Sequence, residues 1–170
     1  MKEKCAPFPR SNATNAYDLM NDVCKDILAV PARMNMDNWV SSRSDMSRAK
    51  QLTFPKVTPP ECGTIACFAG WVNLEATGKS GGGSDASNIL APYPSYRVNV
   101  WGTKEFDYSN PKINRLRNAL DNAYLNMRVR KDRKDLTPGT RAYARVVVKR
   151  FRKIMKRFKT QLQATPVNQK

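Results

Sequence analysis

Between Arg141 and Lys159 the chain carries nine basic residues and no acidic one: Arg141, Arg145, Lys149, Arg150, Arg152, Lys153, Lys156, Arg157 and Lys159. Interleaved with them, Tyr143, Val147, Phe151, Ile154, Phe158 and Leu162 recur at spacings of 4, 4, 3, 4 and 4. That rhythm puts the apolar set on one stripe of an α-helix and leaves a broad positive face. Arg141/Arg145, Arg145/Lys149, Lys149/Lys153, Lys153/Arg157 and Arg152/Lys156 all repel at i, i+4, where a like-charged pair costs a free helix roughly 0.2–0.5 kcal/mol. Alternating signs would serve a merely solvated face better. The pattern predicts a helix docked on a core by its stripe, with its cations turned to a polyanion.

The rest of the composition sharpens this. The chain has 170 residues and a formal net charge of +16, against a magnitude of roughly 2–8 for an ordinary small domain. Residues 1–110 hold 12 Lys/Arg and 11 Asp/Glu, whereas residues 111–170 hold 18 and 3. Such asymmetry is the footprint of nucleic-acid or anionic-membrane contact. With 41% hydrophobic residues the chain can still bury a core, so one domain with an ordered appendage is expected. The start, Met1 to Pro7, lacks the apolar run of a signal peptide, and the apolar stretch Ile65–Leu74 is too short to span a bilayer. These features predict a cytoplasmic address and reduced cysteines.

Along the chain, residues 1–14, with Pro7 and Pro9, read as an irregular arm. A first helix is predicted from Asn15 to Ala29, capped by Asn15 and stopped by Pro31. Residues 41–61, rich in Ser and Pro, read as a long loop. A second, apolar helix is predicted from Cys62 to Gly78, with Gly63, Ala66, Cys67 and Gly70 on one side for close backbone approach. A Gly/Ser-rich link at 79–84 follows; its Gly78-Lys79-Ser80 comes after a helix and lacks the glycine spacing of a phosphate loop. Aromatic and β-branched residues suggest a small β or irregular insertion near 95–108. Asn110-Pro111 opens a third helix with the stripe Ile113, Leu116, Leu120, Tyr124 and Met127. After a basic connector, Thr137-Pro138 opens the fourth, ending before Pro166. The expected fold is mainly α, about four helices, divided as an arm (1–14), a helical core (15–127) and a basic connector with a cationic amphipathic helix (128–170).

The chain has four cysteines (Cys5, Cys24, Cys62, Cys67) and no histidine. Only Cys62 and Cys67 are close in sequence, so a four-cysteine zinc site is disfavoured, and neither a metal nor another cofactor is expected. Asn35-Met36-Asp37-Asn38-Trp39, then Cys62-Gly63-Thr64-Ile65-Ala66-Cys67-Phe68-Ala69-Gly70-Trp71, resembles a family of small uncharacterised bacterial and bacteriophage proteins with the pattern Met-x-x-Trp … Cys-Gly-Thr-x-x-Cys-x-Ala-Gly-Trp. The match covers roughly residues 15–78. The resemblance implies a phage or bacterial source and a helical core, with no established activity; the basic final third departs from the usual pattern. A thiol at Cys62, activated by Thr64 and the free amides of a helix start, is the catalytic reading of that motif. Glu61 opposes it, no imidazole is present to act as base, and packing by Trp39, Cys62, Gly63, Cys67, Gly70 and Trp71 is preferred.

Three polyanions compete for the cations: nucleic acid, then an anionic membrane and an acidic protein surface. The residues expected to touch phosphate are Arg128, Arg130, Lys131, Arg133, Lys134, Arg141, Arg145, Lys149, Arg152, Lys153, Lys156 and Lys159. Without a zinc finger, a helix-turn-helix or an RNA-recognition motif, they read as contacts that position rather than specify. The expectation is a non-enzymatic DNA- or RNA-binding protein with a host-takeover, ribosome-associated or virion role. The alternatives are an interaction protein that docks its basic helix on an acidic host enzyme, and a thiol enzyme.

Overall fold

A computed structural model describes residues 11–36, 40–41, 65–78, 83–93, 96–98, 104–106, 110–125 and 137–167. Among them are six α-helices and two short antiparallel strand pairs, so the fold is mainly α.

Helix α1 (Ala16–Ala29) starts where its cap requires. Asn15 Oδ1 accepts the Asp18 amide at 2.9 Å while Asn15 Nδ2 donates to the Asp18 carboxylate at 2.7 Å. The reciprocal pair satisfies an orphan amide and places a negative charge at the positive helix end. Strands β1 (Val40–Ser41) and β2 (Ile65–Ala66) pair antiparallel, Val40 opposite Ala66.

Helix α2 (Phe68–Thr77) begins six residues later than the sequence pattern predicts. Ile65 and Ala66 are committed to β2, and Cys67 is the N-cap. An apolar run of this kind does not distinguish a buried strand from a buried helix. Of the expected helical face, Ala66 is in β2, Cys67 is the cap and Gly70 lies inside α2, while Gly63 lies outside the described residues. At the other end Gly78, at φ 72°, takes the left-handed position and its N–H donates to Leu74 O at 2.8 Å.

Helix α3 (Gly83–Leu90) occupies the end of the expected Gly/Ser link and the residues after it. Strands β3 (Tyr96–Val98) and β4 (Lys104–Phe106) pair antiparallel in the region expected to hold a β insertion. Helix α4 (Pro111–Leu125) has Asn110 Oδ1 accepting the Lys112 and Ile113 amides at 3.0 and 3.3 Å. Of its predicted stripe, Leu116, Leu120 and Tyr124 are buried, Ile113 is half-buried, and Met127 lies outside the described residues.

The expected fourth helix is two. Helix α5 (Arg141–Arg157) opens after a turn in which Gly139 sits at φ 82° and Thr140 Oγ1 accepts the Tyr143 amide at 3.3 Å. Phe158 then departs from helical geometry, and α6 (Lys159–Ala164) continues from it.

Helix α1 packs against α2, α5 and α6, α3 bridges α2 and α4, and α4 packs on α5. The whole stripe Tyr143, Val147, Phe151, Ile154, Phe158 and Leu162 is buried, joined by Ala144, Val148 and Met155. Phe151 stacks on Phe68 of α2 with ring centroids 3.6 Å apart and planes 8° from parallel. Burying each such side chain contributes roughly 1.5–3 kcal/mol, so α5 is a wall of the core. Residues 11–14, from the stretch read as an arm, are tied down as well. The Ser11 hydroxyl donates to Asp22 at 2.8 Å, and Thr14 O accepts the Val167 amide at 3.0 Å. Asn15 and Pro166 form a β-bridge beside it.

Candidate functional site

Burial of one face of α5 fixes where its cations go. Arg141, Arg145, Lys149, Arg152, Lys153, Lys156 and, at the start of α6, Lys159 are all exposed. Arg145, Lys149, Arg152, Lys153 and Lys156 converge on one concavity of about 360 Å3, together with Val148 and, from α1, Leu28. Arg152, Lys156 and Lys159 border a second one of about 510 Å3 with Tyr17, Asn21 and Met155. Among the described residues no carboxylate is ion-paired with any of these cations, whereas Lys25 of α1 pairs with Asp22 at 2.9 Å.

The arrangement on α1 explains this. Tyr17, Asn21 and Leu28 recur at intervals of four and seven and border α5. Asp18, Asp22 and Asp26 follow one another at intervals of four on a different edge. Two of them are engaged elsewhere, Asp18 with its cap and Asp22 with Ser11 and Lys25. Among the described residues the positive face is thus left without an ion-paired counter-charge. Arg141 stands a turn before the concavities. Arg128, Arg130, Lys131, Arg133 and Lys134 lie outside the described residues, as does the loop read at 41–61 except for Ser41, which is paired in β1.

Tyr17, Asn21 and Leu28 were not legible as site residues. Tyr17 and Asn21 carry no signal in their own sequence neighbourhood, and Leu28 reads there as core; which edge of α1 meets α5 is decided by packing alone. One cation of the basic third is structural instead. Arg117 Nη1 donates to Ala91 O at 2.9 Å and Asn88 Oδ1 at 3.0 Å, closing the end of α3, and its guanidinium lies 4.2 Å from the Tyr93 ring centroid.

The cysteine motif resolves into packing where it is described. Cys67 Sγ accepts the Gly70 amide at 3.4 Å as the α2 cap. Burial pushes its thiol up to about 11, against the opposing pull of the Gly70, Ala69 and Cys67 amides. The free amides of the helix start therefore serve Cys67, and they do not yield a thiolate there at neutral pH. Cys24, also buried, is pushed up to about 12 by burial, with Arg152 pulling the other way. Trp71 is buried and its indole N–H donates to Arg33 O at 3.3 Å. Trp39, Cys62 and Gly63 lie outside the described residues.

Among the described residues no helix is long and apolar enough to cross a membrane. Compared with protein families, curated proteins and solved structures, the chain matches none. Its function is therefore argued from its own geometry.

Proposed function

We propose that the exposed face of α5 binds nucleic acid through its phosphate backbone, as a non-enzymatic contact that positions rather than reads sequence. The observation that carries this reading is the row Arg145, Lys149, Arg152, Lys153 and Lys156, exposed on one helix face with no carboxylate partner among the described residues. From Arg145 to Lys156 the helix rises about 16 Å, a length over which duplex DNA carries on the order of ten phosphate charges. Few other partners match that density. A lipid interface would need the apolar stripe of α5, which is spent in the core. An acidic protein surface draws on the same cations without offering so dense a row of charge. A phage or bacterial setting, with a host-takeover, ribosome-associated or virion role, is the context that the motif around Cys67 suggests for it.

Salt titration tests the reading. Neutralising five phosphates gives log K against log[salt] a slope of about −4.5 on duplex DNA. The variant Lys149→Glu/Lys153→Glu/Lys156→Glu is expected to lose most affinity for DNA and RNA and flatten that slope, while its circular dichroism is unchanged. Negligible affinity of the parent for both nucleic acids at low salt refutes the proposal.

A further inference from the structure

The seam between α1 and α5 offers more than charge. Its two concavities adjoin, with Arg152 and Lys156 lining both. They are open to solvent and measure about 360 and 510 Å3. The surface between the charged tips is apolar: Leu28 and Val148 at one end, Tyr17 and Met155 at the other, with the methylene stems of the cations alongside.

A duplex can reach only the charged rim of such a surface. It turns phosphates outward and stacks its base faces inside, so its contacts would end at the charged tips and leave the apolar wall wet. An unpaired strand supplies both chemistries, phosphates for the rim and a flat apolar base face for the wall. Tyr17 is the aromatic placed to receive it. Its ring is half-buried, and the Lys159 ammonium stands 5.9 Å from its centroid, at the outer limit of about 6 Å for a cation–π contact. So weak a hold leaves Lys159 free to turn to a phosphate. We infer that the α1–α5 groove takes single-stranded rather than duplex nucleic acid, with a base against Tyr17 and the flanking phosphates on Arg152, Lys156 and Lys159. This rests on the phosphate-contact reading and adds a strand preference to it.

The test compares a short oligothymidylate with a mixed-sequence duplex of equal length by fluorescence anisotropy, at one low salt concentration. The single strand is expected to bind about ten-fold tighter or better, and Tyr17→Leu to weaken it about five-fold or more, the lower end of what one lost base–aromatic stack costs. Tyr17→Phe, which keeps the ring, should retain strand binding, and Tyr17→Leu should narrow the ratio of strand to duplex affinity. Asn21→Glu, which puts a carboxylate in the same groove without touching the core, should also weaken the strand. Equal affinity for strand and duplex, with Tyr17→Leu neutral, overturns the inference and leaves the phosphate-contact reading standing. Binding of neither at low salt overturns both. Binding to vesicles containing phosphatidylserine without any to strand or duplex overturns both in favour of a membrane surface.

Discussion

Glu75 is the residue at which chemistry and packing are most at odds. It sits on α2 at 2% exposure, and neither carboxylate oxygen has a hydrogen-bond partner among the described residues. Burial pushes its carboxyl up to about 9 from an ordinary 4.5, with the negative charges of Asp26 and Asp22 adding to the shift. The folded chain thus holds this proton more tightly than the unfolded one. Its contribution to stability is full below about pH 4.5 and is lost progressively as pH rises through about 9. Glu75→Gln keeps the shape and removes the titration. The variant is expected to gain on the order of a few kcal/mol over the parent at pH 8, and little at pH 4. Urea unfolding across that range checks it; parallel loss of stability in parent and variant would show that Glu75 is not the source.

At the scale of elements, α5 carries two opposed demands. Its stripe holds the core, yet its outer face repels itself, and Arg141 lies unfavourably in the first turn while Lys156 and Arg157 suit the last. Lys149→Glu converts the Arg145/Lys149 and Lys149/Lys153 repulsions into attractions, which should stabilise the fold by at most about 1 kcal/mol. It should also weaken nucleic-acid binding. A gain in thermal midpoint with a loss of affinity is the signature of a face kept for binding at the expense of stability; a variant that loses both argues that Lys149 has a structural role. The elements legible in the sequence are those whose period and cap agree: α1 with Asn15, α4 with Asn110-Pro111, and the α5 stripe. Helix α3 was not legible, because its buried residues Gly83, Ala86, Ser87 and Leu90 have helical spacing but include only one large apolar side chain. What holds it is tertiary, the Ser87 hydroxyl on Asp121 at 2.7 Å and Arg117 at its end. The start of α2 is not legible because continuous apolar character has no period. The cationic half of the candidate site is legible from charge spacing; the α1 half is not, since a helix pairing leaves no trace in either sequence segment alone.

For the whole molecule, the decisive fact is that the cationic face and the core share one helix. Phe151 stacks on Phe68, Tyr143 Oη accepts the Met36 amide at 3.1 Å, and the α5–α6 end is tied to α1 through the Ala16 amide on Thr165 O at 2.9 Å. The cationic face therefore cannot persist once the core opens, and a ligand that bound it would stabilise the entire fold by mass action. At a hundred times the dissociation constant that stabilisation is about 2.7 kcal/mol, and for a chain of this size it corresponds to a rise in thermal midpoint of about 5–10 °C. Ordinary salt should raise the midpoint too, by screening the self-repulsion of a +16 chain, whereas a fold held by surface ion pairs would lose stability. The two effects separate in one experiment. In the Lys149→Glu/Lys153→Glu/Lys156→Glu variant the oligonucleotide-induced rise should vanish, while a smaller salt-induced rise survives on the remaining excess charge. If the oligonucleotide raises parent and variant equally, the polyanion is held elsewhere on the chain, and α5 serves the core alone.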